Sequence, residues 1–304
     1  MMQFTYYGHA CFSININDKI LLFDPYISGN ELAKDINVLD IEADYILVSH
    51  AHNDHFLDCL SIALRTGAKV LCNWEIHEWL QSKGVTNTHP MNTGGKWTFD
   101  DFTVKCTVAQ HSSSFADGSY GGNPMGFIVY AEQKSFYYSG DTALTLDMQL
   151  IPSWADLSFA VLPIGDNFTM GIRDAITAAQ FVHADKVIGV HYDTFGFVKI
   201  DHQDAIDAFA KENIELLVDQ GFHVKVNAVI MRGMNEDEIP QFIEWTKLRP
   251  LHIRFIEFMP FQGNRWEDTK VFTFHEILNL VQTHFDFVKL HDAQHETAKK
   301  FKVI

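Results

Sequence analysis

The stretch His50-Ala51-His52-Asn53-Asp54-His55 follows the apolar run Tyr45-Ile46-Leu47-Val48 and precedes Phe56-Leu57. The run reads as a buried strand, the apolar pair as the start of a helix, and the hexamer as the turn between them. Neutral imidazoles and carboxylates are preferred ligands of zinc and other divalent first-row metals, and a stiff strand end can aim several at one point. Without a metal, the hexamer would crowd three partly cationic rings together near neutral pH. Histidine-rich hexamers also occur as surface tracts or hydrogen-bonding supports. A surface tract usually lacks a strand in front of it, however, and Asp54 sits where a carboxylate suits a helix N-terminus.

Three single residues further along extend the pattern. His111 ends the alternating run Phe102–Ala109, Asp141 follows the strand-like Lys134–Tyr138 in Ser139-Gly140-Asp141-Thr142, and His191 closes Lys186–Val190. Taken alone, each is an ordinary polar residue at a strand end. Together they place a His or Asp at the ends of four strands, where sites gather in layered α/β folds. The order His-x-His-x-Asp-His, then His, Asp and His, resembles the metallo-β-lactamase superfamily from about Met2 to about Asp219. Gly8-His9-Ala10, Phe23-Asp24-Pro25 and His191-Tyr192-Asp193-Thr194-Phe195 belong to the same resemblance. Within the superfamily the chain looks most like small hydrolases related to ascorbate-6-phosphate lactonase.

The resemblance implies a four-layer αββα sandwich holding two divalent metal ions. His50, His52 and His111 would hold one ion, Asp54, His55 and His191 the other, with Asp141 between them. Each ion would keep an open position, as catalytic sites require. Two ions about 3.5–4 Å apart can share a water and lower its pKa, presenting hydroxide to a small ester, lactone or phosphoester. Zinc is the first expectation, with manganese, iron or nickel as alternatives for an all-nitrogen-and-oxygen ligand set. In the family the counterpart of Asp54 also orients the attacking water, so Asp54 is the expected catalytic residue. His9 and Asp24 are expected to hydrogen-bond the outer nitrogens of ligand histidines, or else to cap strands and form turns. Thr169 and Met170 are expected to line the pocket, with capping of the helix near Gly171 the other reading of Thr169. Tyr192 and Thr194 lie close enough to His191 to reach substrate or simply to pack. A flavodiiron-type oxidoreductase is disfavoured, because that branch needs a Glu where His52 stands.

Composition narrows the class. The 304 residues suit one large and one small domain, and 47% are apolar, enough for a sizeable core. A net charge of −16 argues against nucleic acid as partner, while a small phosphorylated substrate remains compatible with two cations at the site. Met1-Met2-Gln3-Phe4-Thr5 lacks a signal-peptide pattern, and no apolar stretch approaches the ~20 residues of a membrane span. A cytoplasmic protein away from membranes is therefore expected. Cys11, Cys59, Cys72 and Cys106 are scattered and read as reduced, buried thiols.

A coarse pass gives strands near 2–7, 10–16, 20–23, 44–49, 69–73, 102–110, 125–131, 134–139, 157–163 and 186–190. Helices are expected near 56–66, 75–83, 172–183 and 203–212, and Asn17-Asp18 reads as a hairpin turn. Ser112–Asn123, rich in Ser, Gly and Tyr, reads as a loop beside His111 that either covers the pocket or simply lies on the surface.

From about residue 220 the pattern changes to a strand over 224–233, a helix over 236–247, a strand over 251–260 and a helix over 273–285, suggesting part of a parallel βα barrel. Lys225-Val226-Asn227-Ala228-Val229, Met231-Arg232-Gly233-Met234-Asn235 and Arg254–Trp266 resemble molybdenum-cofactor biosynthesis protein A, a radical S-adenosylmethionine family that cyclises GTP. The iron–sulfur cysteines of that family are missing from this chain, so no cluster is expected. The expected domains are 1–219 and 220–304, with any boundary over 213–226 defensible. Ile214–Val218 could be the last strand of the first domain, paired in a hairpin with Val224–Val229. Two functional classes follow: a dinuclear metal-dependent hydrolase, or a molybdenum-cofactor pathway protein with an accessory metallo-domain. An unfinished barrel leaves strand edges uncovered, so self-association into a homo-oligomer is expected.

Overall fold

The computed structural model describes residues 2–131, 134–219, 221–259, 268–291 and 299–304. These form two compact units, Met1–Ala208 and Phe209–Ile304.

The first unit contains two six-stranded sheets. One runs in chain order through β1 (Gln3–Gly8), β2 (Cys11–Ile16), β3 (Lys19–Phe23), β4 (Tyr45–Leu47), β5 (Lys69–Cys72) and β6 (Thr88–Pro90). The other comprises β7 (Lys96–Thr98), β8 (Thr103–Val108), β9 (Met125–Ala131), β10 (Lys134–Tyr138), β11 (Phe159–Pro163) and β12 (Val187–Val190). Each begins as an antiparallel meander and continues with parallel strands. Antiparallel β2 and β3 are joined by Asn17 and Asp18, with φ 49° and 63°, the left-handed pair that a two-residue hairpin turn requires.

Parallel strands need crossovers, and helices supply them. These are α1 (Asn53–Phe56), α2 (Cys59–Thr66), α3 (Trp74–Ser82) and α4 (Ile172–Phe181), with short 3-10 helices in the β3–β4 and β10–β11 connections; α5 (His202–Asp219) follows β12. Side-chain alternation fixes the layers. In and just beyond β4, Ile46 and Val48 join Ile62, Ala63, Ile76 and Leu80 beneath the helices, while Leu47 joins Phe12, Phe23, Phe127, Phe136 and Tyr138 between the sheets. The result is the αββα sandwich, with both faces of β4 buried.

Several local expectations are corrected. The single helix expected over 56–66 breaks at Leu57–Asp58, because the Asp58 carboxylate accepts from the Ile27 and Ser28 amides and the Ser28 hydroxyl. Ile214–Val218 is helical, being the end of α5, as the spacing of Ile214, Leu217 and Val218 allows. β13 (Lys225–Ile230) therefore forms no hairpin with it. The short strands β6 and β7 had no clear sequence signal. Ser112–Asn123 is pinned by Phe115, buried against Phe56 and Trp79, and by a Ser114–Tyr120 bridge.

The second unit begins inside α5, earlier than the expected 219/220 boundary. β13 pairs in parallel with β14 (His252–Glu257) across α6 (Ile239–Leu248), and α7 (Phe274–His284) follows. Ala228, Ile230, Ile239, Ile243, Ile277 and Val281 form its small core. The strand–helix alternation is present; a barrel is not among the described residues. The hairpin of β15 (Phe287–Lys289) and β16 (Phe301–Val303) is an addition to the expected elements. Pro260 of the expected strand and the Arg254–Trp266 block beyond Met259 lie outside the described residues.

Candidate metal centre

β1, β3, β4, β8, β10 and β12 all deliver residues to one region of the first unit. His50, His52 and His111 each present a ring nitrogen such that all three lie within 4.8 Å of one another. His9, Asp54, His55 and His191 form a second such group. Asp141 joins the two, its Oδ2 lying 2.9 Å from His191 Nε2, 3.2 Å from His55 Nε2 and 3.6 Å from His111 Nε2. His52 turns its Nδ1 inward, 2.9 Å from His50 Nε2, while its Nε2 lies 3.4 Å from Ser112 Oγ. All seven expected ligands are thus brought together.

The backbone is shaped for this convergence. Gly140, φ +61°, turns the chain before Asp141, and a Cβ there would lie 2.9 Å from the Met125 carbonyl oxygen. At Gly165 a Cβ would come within 2.0 Å of the His191 carbonyl oxygen, so only glycine lets the two strand ends approach. His191 itself takes φ 57°.

The supports differ in part from expectation. Asp24, fully buried, accepts from His55 Nδ1 at 2.8 Å, Ser49 Oγ at 2.6 Å, the Ser49 amide at 2.7 Å and Tyr138 Oη at 2.5 Å. Ser49 Oγ also lies 2.9 Å from His50 Nδ1, so one carboxylate orients two histidines, one directly and one through a hydroxyl. His9 does not bond a ligand histidine's side chain. Its Nε2 lies 3.0 Å from Asp54 Oδ2 and its Nδ1 3.0 Å from Thr194 Oγ1, because its left-handed backbone, φ 54°, turns the ring toward α1. Thr194 thus orients His9, and Tyr192 stands edge-on to His202.

A cavity of about 340 Å³ opens on the cluster, lined by His52, Asp54, His111, Ser112, Asp141, Phe168 and His191. Thr169 and Met170 are not among its lining residues. Met170 is fully buried and its amide donates to the Thr142 carbonyl, so the turn presents Phe168 instead. Ser49, Ser112, Tyr138 and Phe168 went unread in the sequence. Each had one signal, adjacency in the chain: Ser49 to His50, Ser112 to His111, Tyr138 to the Ser139–Asp141 turn and Phe168 to Thr169.

Electrostatics follow burial and pairing. Burial drives His50 well below the ordinary histidine value and His9 down to about 4 despite its contact with Asp54. Burial also disfavours the charged forms of His55 and His191. The Asp141 carboxylate outweighs it, holding His55 well above the ordinary value and lifting His191 to about 9. Burial works against ionised Asp141 too, yet His191 and His55 keep it well below the usual carboxylate range. Asp54 is lowered in the same way, chiefly by His191.

A fold of this kind with a His/Asp cluster at its strand ends defines a metal-dependent hydrolase of the metallo-β-lactamase type. The β-lactamase superfamily domain matches residues 20–192, and the chain belongs to that superfamily. It is 51% identical over 218 residues to a UPF0173 metal-dependent hydrolase of Christiangramia forsetii, covering 71% of this chain and 96% of the relative. A protein of the same description from Flavobacterium johnsoniae is 48% identical over 217 residues, 71% of this chain and 96% of the relative. Among solved structures, a metallo hydrolase from the archaeon Ignicoccus hospitalis superposes with a TM-score of 0.63 at 31% identity, covering 70% of this chain and 91% of that one.

Proposed function

We propose that the chain is a dinuclear hydrolase acting on a small ester, lactone or phosphoester. One observation carries the reading. His55 Nε2 is buried and makes no hydrogen bond, its distance to Asp141 Oδ2 notwithstanding, while the opposite nitrogen is fixed by Asp24. A buried imidazole nitrogen held toward two carboxylates and three further histidines fits a metal ligand and little else. The donors are all nitrogen and oxygen, which suits zinc first and manganese, iron or nickel next.

His50 Nε2, His52 Nδ1 and His111 would hold one ion, and Asp54, His55 Nε2 and His191 the other, with Asp141 serving both. Bound there, such ions supply Lewis acidity and an acidified water. The chain's own groups do the rest. Asp54 has a side chain 26% exposed and lines the cavity, so its carboxylate can orient an attacking water and receive its proton. His9, bonded to Asp54 and to Thr194, keeps that carboxylate turned to the site. The Asp24–Ser49 pair fixes the rings of His50 and His55.

A panel of lactones, phosphodiesters and thioesters, measured with metal analysis for the wild type and Asp54→Ala, tests this reading. Turnover should fall by about 10²-fold or more while at least one ion is retained; unchanged turnover would refute the role. The resemblance, read from sequence motifs alone, to small hydrolases related to ascorbate-6-phosphate lactonase is the reason lactones head the panel. The molybdenum-cofactor reading is weaker, because all four cysteines lie buried in the first unit and the second has no thiolate for a cluster. A four-iron cluster with reductive S-adenosylmethionine cleavage after anaerobic reconstitution would restore it.

A further inference from the structure

The turn from Gly165 to Gly171 holds an aromatic ring at the cavity in a conformation the backbone does not favour. Asp166 and Asn167 both take left-handed backbone, φ 60° and 55°. The turn is closed by a Gly165–Gly171 bridge, by the Phe168 and Thr169 amides donating to the Asp166 carbonyl, and by the Asp166 amide donating to the Met170 carbonyl. Met170, fully buried, anchors it, and the Met170 amide donates to the Thr142 carbonyl beside Asp141 at 3.0 Å. The whole arrangement leaves Phe168 on the cavity wall with 52% of its surface exposed.

A second ring extends this apolar edge. Phe197 lies on the short turn Gly196–Val198 and is 76% exposed, its ring edge-on to Phe168 with centroids 6.2 Å apart. That turn is also anchored, since Val198 is fully buried and its carbonyl accepts from the Asp193 amide. Two rings left in water beside a cavity, each on a pinned turn, offer a face for a flat apolar group. None of the seven lining residues is a lysine or arginine, while Asp54 and Asp141 are among them. A phosphate carried on the substrate away from the scissile bond would find neither a lysine nor an arginine on this wall and would face the Asp54 and Asp141 carboxylates.

We propose that Phe168 and Phe197 form the selecting edge of the cavity, and that the substrate is a neutral ester or lactone bearing a flat apolar group rather than a phosphorylated one. This rests on the hydrolase reading, and the cavity volume suits a molecule of that size.

Two measurements separate the claims. The first is calorimetric binding of γ-phenyl-γ-butyrolactam and γ-butyrolactam, which resist hydrolysis, to the purified full-length protein, its Phe168→Ala and Phe197→Ala variants, and Phe168→Leu. The second is kcat/KM on γ-butyrolactone, its γ-phenyl derivative, and a derivative carrying a phosphoryloxymethyl group at that carbon. The wild type should prefer the phenyl compound by about tenfold in both measurements and disfavour the phosphorylated one. Either alanine variant should erase most of that preference with metal content unchanged, and Phe168→Leu should keep part of it. Equal binding of the two lactams, or a preference that survives both alanine variants, overturns the proposal. So does a drop in oligomeric mass by light scattering with the preference intact, which would make the ring pair a contact between copies. Phenyl-selective binding without turnover of any lactone would defeat only the hydrolase reading.

Discussion

Asp24 shows how much a single residue can set. It is fully buried and accepts four hydrogen bonds, from two Ser49 groups, Tyr138 and His55, so both His50 and His55 depend on it. Asp24→Asn keeps the shape but weakens the acceptor for His55 Nδ1. Metal affinity should fall by about 10–100-fold, as measured by competition with a chromogenic chelator; unchanged affinity would show that the ring needs no such partner. Ser49→Ala should loosen His50 alone and cost less. The His/Asp cluster was legible because residue type, order and strand-end position coincided. Their supports were less so, because hydrogen bonds made across the fold leave no spacing in the chain. His9 stood out in Gly8-His9-Ala10, but nothing in the sequence indicated that its ring would meet Asp54 rather than an imidazole.

At the scale of elements, period decided what could be read. β4 was legible as an apolar run, and Asn17-Asp18 as a turn, since each has a local physical cause. β6 and β7, three residues each, are made by neighbours in the sheet and have no period to detect. Ile214–Val218 misled as a short apolar run, which does not distinguish strand from helix. Gly165→Ala should cost about 3 kcal/mol or more, seen as a lower midpoint in thermal unfolding, because its Cβ would strike the His191 carbonyl; an unchanged midpoint would mean the two strand ends move apart freely. In the second unit, the Glu276 side chain caps α7 through Thr273 and pairs with Arg232, which lowers its carboxyl to about 2. A depressed carboxyl stabilises above its unfolded value of 4.5 and loses that contribution as pH falls toward 2. Hydrogen-exchange protection of α7 should therefore decline over that interval, and less so in Glu276→Gln; identical profiles would remove Glu276 from the account.

For the whole molecule, the first unit carries every proposed ligand, and the relatives match 96% of their own length with 71% of this chain. No helix among the described residues is long and apolar enough to cross a membrane. A chain ending at Asp219 should therefore keep its metal and its turnover within about twofold; loss of either would give the second unit a part in catalysis. The αββα layering was implied by the family resemblance and supported by strand and helix order, whereas the second unit was legible only as alternating strands and helices. The most direct test of the dinuclear centre is metal stoichiometry by mass spectrometry on protein purified without added chelator, beside His111→Ala and His191→Ala. The account predicts about two divalent ions per chain, and about one in each variant, removed from different positions of the same site. Metal-free wild type after supply of zinc, manganese and iron, or variants that bind as much metal as the wild type, would contradict it.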